Sequence, residues 1–322
     1  MEKLVLVHLS DIHFTRISGV SVHDLDKNLR TELVLDATTV AREIGPVTGV
    51  LVTGDIAYSG SEVEFDHSTI WLRVSCRAPG CREESVWVVP GNHDVDRPKT
   101  KRKLTRMLHQ GVRKDGSDVD KELREIFSDA QSAAALLEPL ADYNKFAGRF
   151  GCSISAEKHY WERALELSCG TAVRLRGLTS ALVSNDDDRR TDIVLGAAQA
   201  TVERGPGVLH MTLCHHPPDW LRDHDAVEDH LNSKVHIQLF GHKHSQRLDE
   251  INGKVRLVAG AMHPERNEPA WLPTYNFLEI SRRDSDRIGL RVYKRQWNQP
   301  DTNFVAWRDP NTGKDHREFF WS

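Results

Sequence analysis

The stretch Val86-Trp87-Val88-Val89-Pro90-Gly91-Asn92-His93-Asp94 limits what this chain can fold into more than any other. Four β-branched or aromatic residues in a row read as a buried strand, and Pro90-Gly91 ends it in a turn. Open α/β sheets place their chemistry just outside the carboxyl ends of such strands. Asn92, His93 and Asp94 stand at that position, and each can bind a metal or move a proton. If this strand end carries a site, neighbouring buried strands should end in further polar ligands.

They do. The β-rich run Leu4–Leu9 stops at Ser10-Asp11-Ile12-His13, and the spacing of two points Asp11 and His13 the same way in an extended backbone. Residues 25–44 carry helical spacing that ends near Gly45-Pro46, which predicts a βαβ unit. A second buried strand over 49–53 is followed by Gly54-Asp55. A helix through Phe65, Trp71 and Val74 then leads to the strand described first.

Beyond Asp94 the pattern changes. Leu123, Ile126, Phe127, Ala130, Ala134, Leu137 and Leu140 recur at helical intervals, so residues 97–165 are expected to form a helical cap beside the site. The basic cluster Lys99, Lys101, Arg102, Lys103 and Arg106 either attracts an anionic substrate or is a solvated helix face, and the second is the commoner case. Strands are expected at 172–178 and 182–183, with Asp186-Asp187-Asp188 between later elements as a solvated turn. A short helix is read at 199–203. Two more buried strands, 208–214 and 235–240, end in His215-His216 and Gly241-His242-Lys243-His244. The segments 255–259, 275–280, 288–295 and 303–307 read as antiparallel strands of a second sheet. Within the tail, 308–322, Phe319, Phe320 and Trp321 are expected to dock on the body or on a partner. No linker or repeat divides the chain, so residues 1–322 are read as one domain with the cap inserted.

Composition narrows the function classes. With 39% hydrophobic and 28% charged residues the chain is an ordinary globular protein, and a formal net charge of −4 lacks the basic excess that binding a phosphate backbone usually needs. The N-terminus turns polar too soon for a secretory signal and no run reaches membrane-spanning length, which predicts a cytoplasmic protein. The five cysteines have no zinc-finger spacing; Cys76 and Cys81 are read as free thiols in and beside a loop.

Five strand ends therefore carry Asp11 and His13, Asp55, Asn92 and His93, His215, and His242 and His244. Oxygen and imidazole donors without thiolate suit Mn, Fe, Zn, Co or Ni, and even with His93 set apart the seven that remain are too many for one ion with an open position. Two ions are implied, with the two oxygens of Asp55 as the natural bridge.

Asp11-x-His13, Gly54-Asp55, Gly91-Asn92-His93-Asp94, His215 and Gly241-His242-x-His244, taken in order, resemble the calcineurin-like metallophosphoesterase pattern over roughly residues 4–280. The motif set is most similar to bacterial cyclic-nucleotide-type phosphodiesterases. That resemblance implies a four-layer α/β/β/α sandwich of two mixed sheets. It implies one divalent ion on Asp11, His13, Asp55 and His244 and another on Asp55, Asn92, His215 and His242, with Mn2+ favoured and Fe, Zn, Ni, Co or Mg as alternatives. His215 rather than His216 is the implied ligand. His93 would stand outside the ions near the leaving group, and Asp94 would either orient its ring or cap the turn. The implied reaction is hydrolysis of a phosphate mono- or diester by a metal-bridging hydroxide, on a small or nucleotide-like substrate. A metal-dependent DNA nuclease and a non-catalytic interaction module are the alternatives, with nucleic acid the less favoured partner.

Overall fold

The structure is a computed structural model that describes residues 1–264, 271–284 and 287–321. Its strands are β1 (Lys3–Leu9), β2 (Gly49–Val52), β3 (Val86–Val88), β4 (Tyr160–Glu166), β5 (Ala172–Leu178), β6 (Val208–Leu213), β7 (Ile237–Phe240), β8 (Arg247–Ile251), β9 (Lys254–Val258), β10 (Thr274–Arg282), β11 (Ile288–Asn298), β12 (Asn303–Ala306) and β13 (Arg317–Trp321). Its helices are α1 (Lys27–Ile44), α2 (Glu62–Arg77), α3 (Arg97–Thr100), α4 (Lys103–Val112), α5 (Val119–Ser128), α6 (Ala130–Leu137), α7 (Ala141–Gly148), α8 (Ala197–Ala200) and α9 (His224–Lys234).

Two mixed sheets with flanking helices result. The first has the order β12-β11-β10-β1-β2-β3 with β13 also on β11, and the second has the order β4-β5-β6-β7-β9-β8. Every residue of β1 from Leu4 to Leu9 is buried, as expected of a central strand covered on both faces. It pairs in parallel with β2 and antiparallel with β10, whose residues from Thr274 to Ser281 are all buried. A smaller apolar cluster, including Val227, Leu231 and Phe240, fills the space between α9 and the second sheet. α1 buries Leu29, Leu33, Ala37 and Val40, while Leu25 and Leu35, on the same sequence pattern, face solvent. At the start of α2 the Glu64 carboxylate reaches back to accept from the Ser61 amide at 3.1 Å.

Several expectations need correction. β10, β11 and β12 belong with the N-terminal strands rather than to the second sheet, because the central, buried β1 takes β10 along its free edge. The second sheet is mainly parallel, through β5, β6, β7 and β9. The helical stretch ends at Gly148, and Tyr160–Glu166, at the end of the range read as cap, is an edge strand. Residues 182–183 form a turn. The tail contributes β13, whose Trp321 lies opposite Ile288 of β11.

The acidic loop turns at Asp186-Asp187 with both residues exposed, as expected, but its carboxylates also bind the cap. Asp186 pairs with Arg97 at 3.2 Å and Lys101 at 2.7 Å, and Asp188 pairs with Arg113. Lys99 is held by Asp96 and Asp142, and Arg102 by Glu138. Thus cations of the basic cluster are used to bind the cap to itself and to the body. The cap is also fixed by Asp120, whose carboxylate accepts from the amides of Ala197 and Ala198 at 3.2 Å, at the start of α8.

Candidate metal centre

All five sequence-predicted strand ends meet where the carboxyl edges of the two sheets converge. The loop after β1 runs beside the loop after β2: Asp11 N donates to Gly54 O (3.1 Å), and Ile12 N and His13 N both donate to Asp55 O (2.8 and 3.0 Å). From the second sheet, His215 Nδ1 donates to Thr53 O at 2.7 Å, and the amide of His242 donates to Asp11 Oδ2 at 3.2 Å. The ligands of each sheet are therefore anchored on the other.

The backbone at these positions is unusual. Asp11, His13, Asp55, His242 and His244 all have φ between 52° and 70°, the left-handed region that costs a non-glycine residue about 1–2 kcal/mol. Such conformations gather at functional sites because they aim a side chain where ordinary backbone does not. Neighbouring glycines make room. A Cβ on Gly91 would lie 2.1 Å from Asp55 Oδ1, and one on Gly54, itself at φ +90°, would lie 2.6 Å from His215 Nδ1.

The side chains form four overlapping groups in which all candidate ligand atoms lie within 4.8 Å of one another. These are Asp11, His13 and His244; His13, Asp55 and His93; Asp11, Asp55 and His215; and His215, His216 and His242. Asn92 joins through its Oδ1, 3.2 Å from His215 Nε2, the same nitrogen that lies 3.2 Å from Asp55 Oδ2. His244 Nε2 lies 3.3 Å from Asp11 Oδ1.

Charge is distributed as a metal site requires. Burial raises the Asp11 and Asp55 carboxyls, but for Asp11 the His244 hydrogen bond and for Asp55 the His215 charge outweigh it, leaving Asp11 at about 2 and Asp55 well below the usual range. Burial holds His13 and His242 down at about 4, so both imidazoles are neutral with a lone pair to give. His215 is the exception: burial lowers it, yet Asp55 lifts it to about 9, so a proton stands where two carboxylates call for positive charge. His13 Nδ1 is buried with no hydrogen-bond partner. Two ionised buried carboxylates and neutral imidazoles fit divalent cations of the Mn, Fe or Zn type.

His93 and Asp94 part company. His93 Nδ1 donates to the carbonyl of Tyr58 at 2.9 Å, its amide donates to Asp55 Oδ1 at 2.8 Å, and its ring lies 4.8 Å from that of His13. Asp94 caps the turn: Oδ1 accepts from the amides of Ile56 (2.9 Å) and Ala57 (2.8 Å) and Oδ2 from Gly91 (2.9 Å). Of its two expected roles, orienting the His93 ring goes instead to Tyr58. Burial and the Asp55 charge push the Asp94 carboxyl up to about 7 in spite of those three donors.

The sequence reading missed neighbours that carry no motif. Ser10 donates to Asp11 Oδ2 and sits under Gly241, where a Cβ would be 2.2 Å from its hydroxyl. Trp220 packs edge-on to His242 with ring centroids 4.0 Å apart. His216, set aside in favour of His215, is wholly buried, takes Ser180 Oγ at 2.8 Å on Nδ1, and turns a partnerless Nε2 toward the same cluster.

The family model for calcineurin-like phosphoesterases matches residues 4–246. The chain belongs to this family. A metallophosphoesterase-like protein of Bacillus subtilis, YydB, is 29% identical over 99 residues, which is 31% of this chain but 19% of that relative's length. Among solved structures, a conserved protein of Streptococcus pneumoniae TIGR4 described as a phosphoesterase superposes with a TM-score of 0.37 at 13% identity, over 100% of this chain and 99% of its own. A Staphylococcus aureus protein described as a putative 5'-nucleotidase, in complex with alpha-ketoglutarate, gives 0.43 at 12% identity over 87% of this chain and 51% of its own. No helix among the described residues is long and apolar enough to cross a membrane.

Proposed function

We propose that the chain is a phosphoric ester hydrolase working with two divalent cations, manganese in the first instance, on a small nucleotide-like mono- or diester. The observation that carries this reading is the overlap of four His/Asp groups through Asp11, His13, Asp55 and His215 at the meeting edge of two sheets. One cation would be held by Asp11, His13, Asp55 and His244, the other by Asp55, Asn92, His215 and His242. When bound, the pair supplies an acidified water as nucleophile near neutral pH and neutralises the phosphoryl oxygens.

The chain's own groups do the rest. Donation of His93 Nδ1–H to Tyr58 leaves Nε2 as the ring atom that can meet a leaving-group oxygen and hold or pass a proton there. Asp94 keeps Asp55 in place through the loops it caps and takes no part at the ring. The DNA-nuclease alternative needs a free basic face, and the pairing of Lys99, Lys101 and Arg102 with carboxylates weighs against it. Free thiols at all five cysteines support a reducing compartment such as the cytoplasm.

The test combines bound-metal analysis with hydrolysis of bis-p-nitrophenyl phosphate, cyclic nucleotides, and single- and double-stranded DNA. Asp55→Asn is expected to lose activity together with metal, and His93→Ala to lose activity while keeping both ions. Loss of ions from His93→Ala would make His93 a ligand. Absence of stoichiometric metal and of any hydrolysis with added manganese would leave the interaction-module reading standing.

A further inference from the structure

A second cleft lies at the opposite end of the second sheet. It encloses about 650 Å3 and is bounded by residues at the amino ends of β5, β6, β7 and β9, where the metal centre uses carboxyl ends. From Val208, in its wall, to His215 is seven residues of chain, roughly 20 Å along an extended strand. The two sites are therefore separate.

The cleft's lining is one-sided in charge. Arg204, Lys234, Lys254, Arg282 and Arg287 face it, and no carboxylate lines it among the described residues, in a chain whose net charge is −4. Asp284, outside the wall, holds Arg287 at 2.6 Å, and Arg204 reaches the carbonyl of Ser233. The remaining charge is felt inside. Burial and then Arg204 lower Lys254, and burial followed by Lys254, His210 and Arg204 holds His236 at about 4. Like charges brought together in a concavity cost energy unless an anion is expected there. The Trp321 ring, fixed by an indole N–H donated to Gly253 O at 2.8 Å and set edge-on to His236 at 6.0 Å, adds a flat apolar wall.

We infer that this cleft is a binding site for a small, multiply charged phosphate compound, either an inorganic polyphosphate or a nucleoside polyphosphate. A singly phosphorylated ligand would meet only part of the charge that Arg204, Lys234 and Lys254 bring to the cleft. The cleft's volume falls in the range of about 300–1,000 Å3 typical of small-molecule sites.

Calorimetric titration of the full metal-loaded chain, in excess magnesium, with sodium tripolyphosphate, ATP and orthophosphate tests this. Tripolyphosphate is expected to bind one per chain, at least tenfold tighter than orthophosphate, to the wild type and equally to Asp55→Asn. The Arg204→Ala/Lys254→Ala double variant should bind it at least tenfold more weakly while hydrolysing bis-p-nitrophenyl phosphate at the wild-type rate. Tighter binding of ATP would identify a nucleotide ligand using the Trp321 wall, and equal binding a ligand recognised by its phosphates alone; both support the site. Binding unaffected by the double variant, binding lost only in Asp55→Asn, or binding of a single-stranded oligonucleotide without tripolyphosphate would overturn it. Should the double variant unfold, as judged by thermal melting, Lys234→Glu at the end of α9 provides the same comparison. The result stands or falls independently of whether the metal centre proves catalytic.

Discussion

The carbonyl oxygen of Thr53, at the end of β2 in one sheet, accepts a 2.7 Å hydrogen bond from Nδ1 of His215, beyond the end of β6 in the other. That bond fixes the orientation of the ring, because donation from Nδ1 turns Nε2 toward Asp55 and Asn92, where a bound cation would take the place of the proton that Asp55 holds there.

His215→Ala should therefore empty half of the centre. Metal analysis by mass spectrometry is expected to fall from two ions per chain toward one, with hydrolysis reduced at least about a hundredfold, the scale of loss for a displaced catalytic group. Two ions retained in this variant would remove His215 from the ligand set.

Gly91 is predicted to tolerate no side chain. A methyl group there would lie 2.1 Å from Asp55 Oδ1 and 2.5 Å from the Asp55 amide, so the loop must shift. Gly91→Ala should bind metal at least about tenfold more weakly and lose about a hundredfold in kcat while its far-UV circular dichroism stays that of the wild type. Unchanged metal affinity would show that the loop yields without cost.

Asp94 answers to a stability assay. Its carboxylate serves three buried amides, and its removal leaves them without acceptors. Asp94→Ala is expected to lose about 3 kcal/mol in urea unfolding, taking roughly 1 kcal/mol for each orphaned donor. A loss of activity without that destabilisation would return Asp94 to the chemistry.

The cap should carry its own acid sensitivity. His109 of α4 is 3% exposed, neither ring nitrogen has a partner, and burial followed by the Arg113 charge lowers it from 6.5 to about 4. Below pH 6.5 the unfolded chain binds a proton that the folded chain refuses. The group therefore costs nothing above pH 6.5, and stability falls as pH drops to about 4, by about 3 kcal/mol in all. His109→Leu should flatten urea-unfolding stability across that window by the equivalent of one proton; an unchanged slope would assign the acid sensitivity elsewhere.

What could be read from the residue order follows local physics. Uninterrupted β-branched runs such as Val86–Val89 and Leu4–Leu9 announce buried strands, and the polar residues just beyond them are the groups that the fold gathers. Edge strands announce nothing of the kind. β8 exposes most of Arg247–Ile251, and β4 alternates charged residues with a buried Trp161, so neither shows a continuous apolar run. Which sheet receives β10 depends on its pairing with β1, more than two hundred residues away, and no local pattern encodes a partner at that distance. The charges of the acidic loop looked solvated because Arg97, Lys101 and Arg113 are remote in sequence. The role of Asp94 was visible only as a choice of two, since the amides of Ile56 and Ala57 reach it from another loop.

The left-handed backbone at Asp11, His13, Asp55, His242 and His244 sets robustness against chemistry. Glycine would relax each of these positions, so a lineage freed from holding cations would gain heat tolerance by discarding them one at a time. Of the eight non-glycine residues with positive φ among the described residues, five are these candidate ligands, so the fold concentrates its backbone strain at one edge of the molecule.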